Sequence, residues 1–250
     1  MLVDVHAHLH FESILPDINN IIERAKKNNV AYILNSGTDL KGNKKTLELS
    51  KKYDIIKPSF GLYPVHAVSL SEEELETELN FIEENRKNIF QIGEVGLDFK
   101  EDQNFVKQKE IFYKIIELTE KLKLPILIHS RKAEKECIEI LETSKIKHIT
   151  MHCFSGNFKL VKKVIDNNWN FSIPPVIVKL QHFQLIVEQA NISNILTETD
   201  SPYLSPYSDK RNEPSFIKET IKKIAEIKKL SKEETENLIF MNFQNIFLKE

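Results

Sequence analysis

One pattern constrains this chain more than any other. Eight short apolar runs recur along it, and each is followed by a stretch with helical spacing. The runs fall at residues 3–8, 30–34, 55–60, 89–95, 125–129, 148–152, 169–173 and 195–200. The helical stretches are 16–28, 41–52, 71–86, 104–122, 134–142, 158–167, 179–189 and 214–229, and one more opens at Ser231 and is expected to run to the C-terminus. In the first of them Ile18, Ile21, Ile22 and Ala25 make one apolar face. Ser71 with Glu74, and Ser231 with Glu234, have the spacing of capping boxes. Strands separated by helices pair in parallel, because each helix returns the chain to the edge where the next strand begins. Eight such units in 250 residues predict an α/β fold. The expected form is a (β/α)8 TIM barrel, a single domain over residues 1–250 with an extra C-terminal helix. An open doubly wound sheet is the structural alternative.

Bulk properties exclude several classes of function. The formal net charge is −2, so no global field draws the chain to nucleic acid, although a local basic rim would suffice. No apolar run has the length of a membrane span, and the N-terminus lacks the apolar core of a signal peptide. Cys137 and Cys153 are too few for a disulfide framework. A cytoplasmic, reducing location is therefore expected. No stripe marks an interface, so a monomer is expected.

The polar residues are informative by position. Barrel enzymes place their chemistry at the C-terminal ends of strands. His6 and His8 end the first run, Glu94 the fourth, His129 the fifth, His152 the sixth and Asp200 the eighth. In a strand, residues two apart project to the same side, so His6 and His8 lie side by side. Each residue has a plainer reading. A lone buried histidine is commonly a hydrogen-bonded core residue, Glu94 could pair with a loop arginine, and Asp200 could cap the turn before Pro202. Six uncompensated polar groups at one rim would be costly, and a shared metal removes that cost. Four histidines and two carboxylates exceed one tetrahedral ion. They suit two divalent ions, with Glu94 placed to bridge them. Nitrogen and oxygen ligands without thiolate fit Zn, Mn, Ni or Mg. Cys153, next to His152, is read as packing.

These residues sit in longer motifs: Asp4-Val5-His6-Ala7-His8-Leu9, Ile92-Gly93-Glu94-Val95-Gly96-Leu97-Asp98, Pro125-Ile126-Leu127-Ile128-His129-Ser130-Arg131, Met151-His152-Cys153-Phe154-Ser155-Gly156, Thr197-Glu198-Thr199-Asp200-Ser201-Pro202-Tyr203-Leu204 and Arg211-Asn212-Glu213-Pro214. Together they resemble the TatD-type metal-dependent deoxyribonucleases, within the amidohydrolase-like hydrolases. The resemblance implies a (β/α)8 barrel and a two-metal hydrolase of phosphodiesters, typically at DNA ends. It implies His6, His8, Glu94 and Asp200 around one ion and Glu94, His129 and His152 around the other. Two departures stand out. Tyr63 occupies a position after the third strand where the family often has histidine, and His10 replaces the acid that commonly follows His-x-His-Leu.

On that basis Asp200 is the candidate general base and Glu94 the second catalytic residue. Arg131 and Tyr63 are candidates for holding phosphate oxygens, and His66 for reaching substrate from the rim loop. The plainer readings are a rim salt bridge for Arg131 and a solvated histidine for His66. Arg211, Asn212 and Glu213 are read as residues that orient the ligands or the rim loops. The lysine-rich helix after Pro214 looks like a DNA patch but is more simply a solvated face. The expected partner is a DNA substrate, cut as an exonuclease or on single strands. Hydrolysis of another ester or amide, such as aminoacyl-tRNA, is the alternative. A non-catalytic scaffold is a third reading, opposed by the complete ligand set.

Overall fold

The computed structural model describes residues 1–248. The strands are β1 (Leu2–Ala7), β2 (Val30–Ser36), β3 (Ile56–Phe60), β4 (Gln91–Gly96), β5 (Ile126–His129), β6 (Ile149–His152), β7 (Asn170–Ile173) and β8 (Ile195–Thr197). Among the described residues the helices are α1 (Ile18–Lys27), α2 (Leu40–Lys52), α3 (Pro64–Ser69), α4 (Glu72–Glu84), α5 (Phe105–Leu122), α6 (Glu134–Leu141), α7 (Phe158–Asp166), α8 (Gln181–Gln189), α9 (Ile217–Lys228) and α10 (Lys232–Phe247). Strand order in the sheet equals chain order. Contacts group the chain into two compact units.

The first unit takes residues 1–35 and 49–57 and those from 170 onward. β1 pairs in parallel with β2, with Leu2 opposite Val30 and Asp4 opposite Ile33. β7 pairs in parallel with β8, with Phe171 opposite Ile195. A bridge between Ala7 and Ser201 sets the end of β1 beside the chain leaving β8. The Thr197 hydroxyl secures the same neighbours by donating to the Val3 carbonyl at 2.6 Å. β1 is buried along its whole length, the polar Asp4 and His6 included. α1 buries Ile18, Ile21, Ile22 and Ala25, as the spacing predicts. α9 buries Ile217, Ile221 and Ile224, and α10 buries Ile239 and Phe243. Phe243 stacks on Tyr32 at 4.9 Å between ring centres. Each such large apolar side chain contributes about 1.5–3 kcal/mol by leaving water. α10 is the extra C-terminal helix, opened by the Ser231–Glu234 capping box with both of its bonds formed. The last two residues of the expected helix, 249 and 250, lie outside the described residues.

The second unit takes residues 36–48 and 58–169. β4 pairs in parallel with β3 and with β5, and β5 with β6. α5 turns Ile111, Phe112, Ile115 and Ile116 inward. Asn104 caps its first turn through Lys107 N–H. Lys123 ends it in the left-handed conformation, φ 55°. α4 opens on the Ser71–Glu74 capping box, again with both bonds present. Gly96 has φ 139° and lies so close to β5 that a side chain there would collide with the His129 carbonyl oxygen. Only glycine allows β4 to end at that separation.

Three elements differ from the sequence reading. β8 stops at Thr197 instead of reaching residue 200; beyond it the chain keeps isolated bonds to β1, and Asp200 takes the left-handed conformation, φ 55°. β4 runs on to Gly96, which puts Glu94 inside the strand and not at its tip. Residues 64–69, read as part of a rim loop, form α3. Pro64 at its first position presets the helical φ, but six residues are too few to show a period. Pro16 sits in a 3-10 turn, Leu15–Asp17, directly before α1.

Candidate functional site

Among the described residues, each unit brings ligand-type side chains together at or near the ends of its strands. In the first unit these are His6, His8 and Asp200. His6 is the penultimate residue of the buried strand β1, and His8 follows one residue past the strand end. Their rings meet edge to face at 4.6 Å, the side-by-side placement that their spacing predicts. Phe11 stacks on His8 at 4.8 Å with planes 4° apart. Asp200 enters from beyond β8, its N–H donating to the His6 carbonyl at 2.9 Å. One carboxylate oxygen of Asp200 lies 3.3 Å from His6 Nε2 and 3.4 Å from His8 Nε2. Ligand atoms about 2.1 Å from a tetrahedral ion stand about 3.4 Å apart. The two separations from the Asp200 oxygen, 3.3 and 3.4 Å, match that spacing.

The residues around that cluster are fixed from below. Asp4, fully buried, accepts from His6 N–H at 3.2 Å, Thr199 N–H at 2.9 Å and the Thr199 hydroxyl at 2.5 Å. Burial outweighs those bonds and pushes its pKa up to about 8. His10 is buried beside His8, and burial, with the neighbouring His8 and His6, pushes it down to about 3. It faces the Asn35 side chain at 3.5 Å. Of the three residues expected to orient the loops, Asn212 does so directly. Its amide donates to the Thr199 carbonyl at 2.7 Å and the Tyr203 carbonyl at 2.6 Å, on either side of Asp200. Glu213 takes a two-pronged contact from Arg24 at 2.7–3.0 Å and ties the loop to α1. Arg211 donates to the Ser13 carbonyl and lies 3.5 Å from Asp17, at the surface.

In the second unit the cluster is Glu94, His129 and His152. Glu94 projects from β4, His129 ends β5 and His152 ends β6. One ligand atom of each lies within 4.8 Å of the others. Glu94 Oε1 stands 2.6 Å from His129 Nδ1 and 3.7 Å from His152 Nε2. The shorter pair is a charged hydrogen bond that a cation would replace by taking the place of its proton. All three groups are nearly buried, and the donor set is nitrogen and oxygen, so it fits a divalent ion of the zinc or manganese kind. Burial alone would lower the His129 pKa, but the Glu94 and Asp98 carboxylates outweigh it and hold the ring protonated above its usual value. Cys153 follows His152 with φ 41°, and Cys137 is buried with its pKa pushed well up by burial.

The expected substrate residues are placed as follows. The Tyr63 hydroxyl donates to Asp98 at 2.8 Å, and its ring lies edge-on to His129 at 5.1 Å. Burial, and then Asp98, push the phenol pKa up. His66 lies on α3 with Nε2 2.9 Å from Glu78 of α4. Arg131 pairs with Glu101 at 2.7 Å, each about half exposed. Three acids in the motifs received no role from the sequence: Asp4, Asp98 and Glu198. Asp4 had a signal, since it shares the strand parity of His6 and His8. Asp98 follows the strand end, where spacing no longer fixes direction.

Comparison with known proteins completes the description. The family model for TatD related DNase matches residues 3–248. An uncharacterized metal-dependent hydrolase of Methanocaldococcus jannaschii is 37% identical over 98% of this chain and 96% of its own length. The deoxyribonuclease TATDN3 of Homo sapiens is 31% identical over 99% of this chain and 95% of its own. The crystal structure of YJJV, a TatD homolog from Escherichia coli, superposes with a TM-score of 0.91 at 21% identity, covering 100% of this chain and 98% of that one. That likeness shows the fold to be a (β/α)8 barrel, as the eight-fold alternation predicts.

Proposed function

Because the chain belongs to the TatD family of metal-dependent hydrolases, we propose that it cleaves phosphodiester bonds of DNA with two divalent ions. One ion is assigned to each cluster, and Glu94 is the shared ligand that the family resemblance implies. The whole of residues 1–250 is assigned to one hydrolase domain. The observation that carries the reading is the trio Glu94, His129 and His152, whose ligand atoms converge within 4.8 Å. The naming of the human relative as a deoxyribonuclease supports DNA as the substrate class.

Divalent ions held in these clusters would neutralise phosphate oxygens and acidify a water at neutral pH. The chain supplies the rest. Asp200 is assigned as the base that takes the proton of the attacking water, since its carboxylate lies beside His6 and His8 and stays partly exposed, while its N–H is held by the His6 carbonyl and Asn212 holds the residues on either side of it. Arg131 is assigned to substrate phosphate. Its present partner is an exposed ion pair worth about 0–1 kcal/mol, which a phosphate can displace. Asn212 keeps the Asp200 turn in place.

The test uses protein stripped by chelator and reloaded separately with Mg, Mn, Zn or Ni. Single-stranded and duplex DNA carrying a label at one end should be shortened progressively from an end. Asp200→Asn should lower the rate at least about 100-fold while the circular dichroism spectrum is unchanged. DNA left intact with all four ions would overturn the nuclease reading, and amino acid released from aminoacyl-tRNA in the same series would replace it. No helix among the described residues is long and apolar enough to cross a membrane.

A further inference from the structure

We propose that Asp98 is a positioning residue that makes His129 a ligand through Nδ1, with the Tyr63 hydroxyl locking the Asp98 carboxylate in place. The inference rests on the metal reading of the Glu94 cluster.

His129 lies between two carboxylates. Nδ1 faces Glu94 Oε1 at 2.6 Å, on the side where His152 also points. Nε2 faces Asp98 Oδ2 at 2.9 Å. A neutral imidazole carries one proton, and the nitrogen that keeps it cannot bind an ion. A fixed acceptor on Nε2 therefore decides the tautomer and leaves the Nδ1 lone pair toward Glu94 and His152.

Asp98 is built to be that acceptor. It is fully buried, one residue after Leu97 and two after the end of β4. Its Oδ1 accepts the backbone N–H groups of Lys100 and Glu101, each at 2.9 Å. Its own N–H donates to the Gln108 side chain of α5 at 2.8 Å, and Gln108 returns a bond to the Asp98 carbonyl at 3.0 Å. The remaining oxygen, Oδ2, receives His129 and Tyr63 together. A carboxylate with four donors around it cannot rotate, so the direction of its charge toward Nε2 is set before any ion arrives.

Tyr63 acquires a role of its own from this arrangement. Its single hydroxyl proton is committed to Asp98, and its ring packs edge-on against His129 at 5.1 Å. The residue supports the ligand from beneath and does not offer a cation to substrate.

The experiment loads the full chain with Zn and records two-bond nitrogen–proton correlations of 15N-labelled histidine, assigned by His129→Gln. The expected pattern is His129 with Nε2 protonated and Nδ1 bound. Zinc affinity, measured by competition with a chromophoric chelator, should fall about 10–100-fold in Asp98→Asn. Tyr63→Phe should fall less, by about 3–10-fold, because Asp98 keeps its other three donors. Zinc bound through Nε2 of His129 overturns this inference alone, as does an Asp98→Asn protein of parental far-ultraviolet spectrum and parental affinity. A parent chain that binds no zinc overturns the metal reading as well. Should Asp98→Asn fail to fold, the parent spectrum and the Tyr63→Phe affinity still decide, and a Tyr63→Phe loss as large as that of His129→Gln counts against the ranking of roles.

Discussion

Thr199 gives both of its protons to one carboxylate: its N–H to Asp4 Oδ1 at 2.9 Å and its hydroxyl to Asp4 Oδ2 at 2.5 Å. The two residues are 195 positions apart in the chain. Asp4 lies two residues before His6 and Thr199 one before Asp200, so this clasp sets the spacing of the ligands above it. Thr199→Val keeps the shape and removes the hydroxyl donor, leaving a buried oxygen short of a partner. A loss of about 1–3 kcal/mol is expected in urea unfolding. A change below about 0.5 kcal/mol, the scale of neutral surface substitutions, would show that the clasp does not bear on stability.

Asn212 separates positioning from chemistry. Its amide holds the carbonyls of Thr199 and Tyr203, while Asp200 between them sits at φ 55°, a conformation that aspartate tolerates better than most residues. Asn212→Ala is expected to lower the hydrolysis rate about 10–100-fold. Its metal content, read by elemental analysis after dialysis, should match the parent. Unaltered kinetics in this variant would mean that the turn holds its shape without the amide.

His66 predicts a pH dependence. Its bond to Glu78 raises its pKa over the opposing effect of burial, and Asp39 and Glu74 add to the same direction. A histidine whose folded value exceeds its unfolded value of about 6.5 contributes stability in full below that value. The contribution disappears as pH rises through the raised folded value. The stability difference between the parent and His66→Gln should therefore be larger at pH 6 than at pH 9. A difference that stays constant across that range would contradict the assignment.

The alternation of strands and helices was legible because buried parallel strands are rich in apolar residues, as Ile126-Leu127-Ile128 of β5 shows. The side-by-side placement of His6 and His8 followed from the two-residue period of a strand. The reading weakened where the chain leaves the sheet. Residues 195–200 read as one strand, yet β8 ends at Thr197 and Asp200 lies beyond it in a left-handed conformation. Asp98 and Tyr63 meet across 35 positions, and no local period encodes that meeting. The partner of His66 depends on α3, which is too short to announce itself.

The two clusters become available at different times as the chain is made. Glu94, His129 and His152 arise from consecutive strands in the middle of the sequence. His6 and His8 are synthesised near the start and gain Asp200, Thr199 and Asn212 only after most of the remaining chain has followed. Closing so long a loop carries a larger entropic cost and a slower search than joining neighbouring strands. A nascent chain thus holds every residue of its Glu94 cluster while its first two histidines are still waiting, and the Asp4–Thr199 clasp marks the moment at which the N-terminal strand is committed.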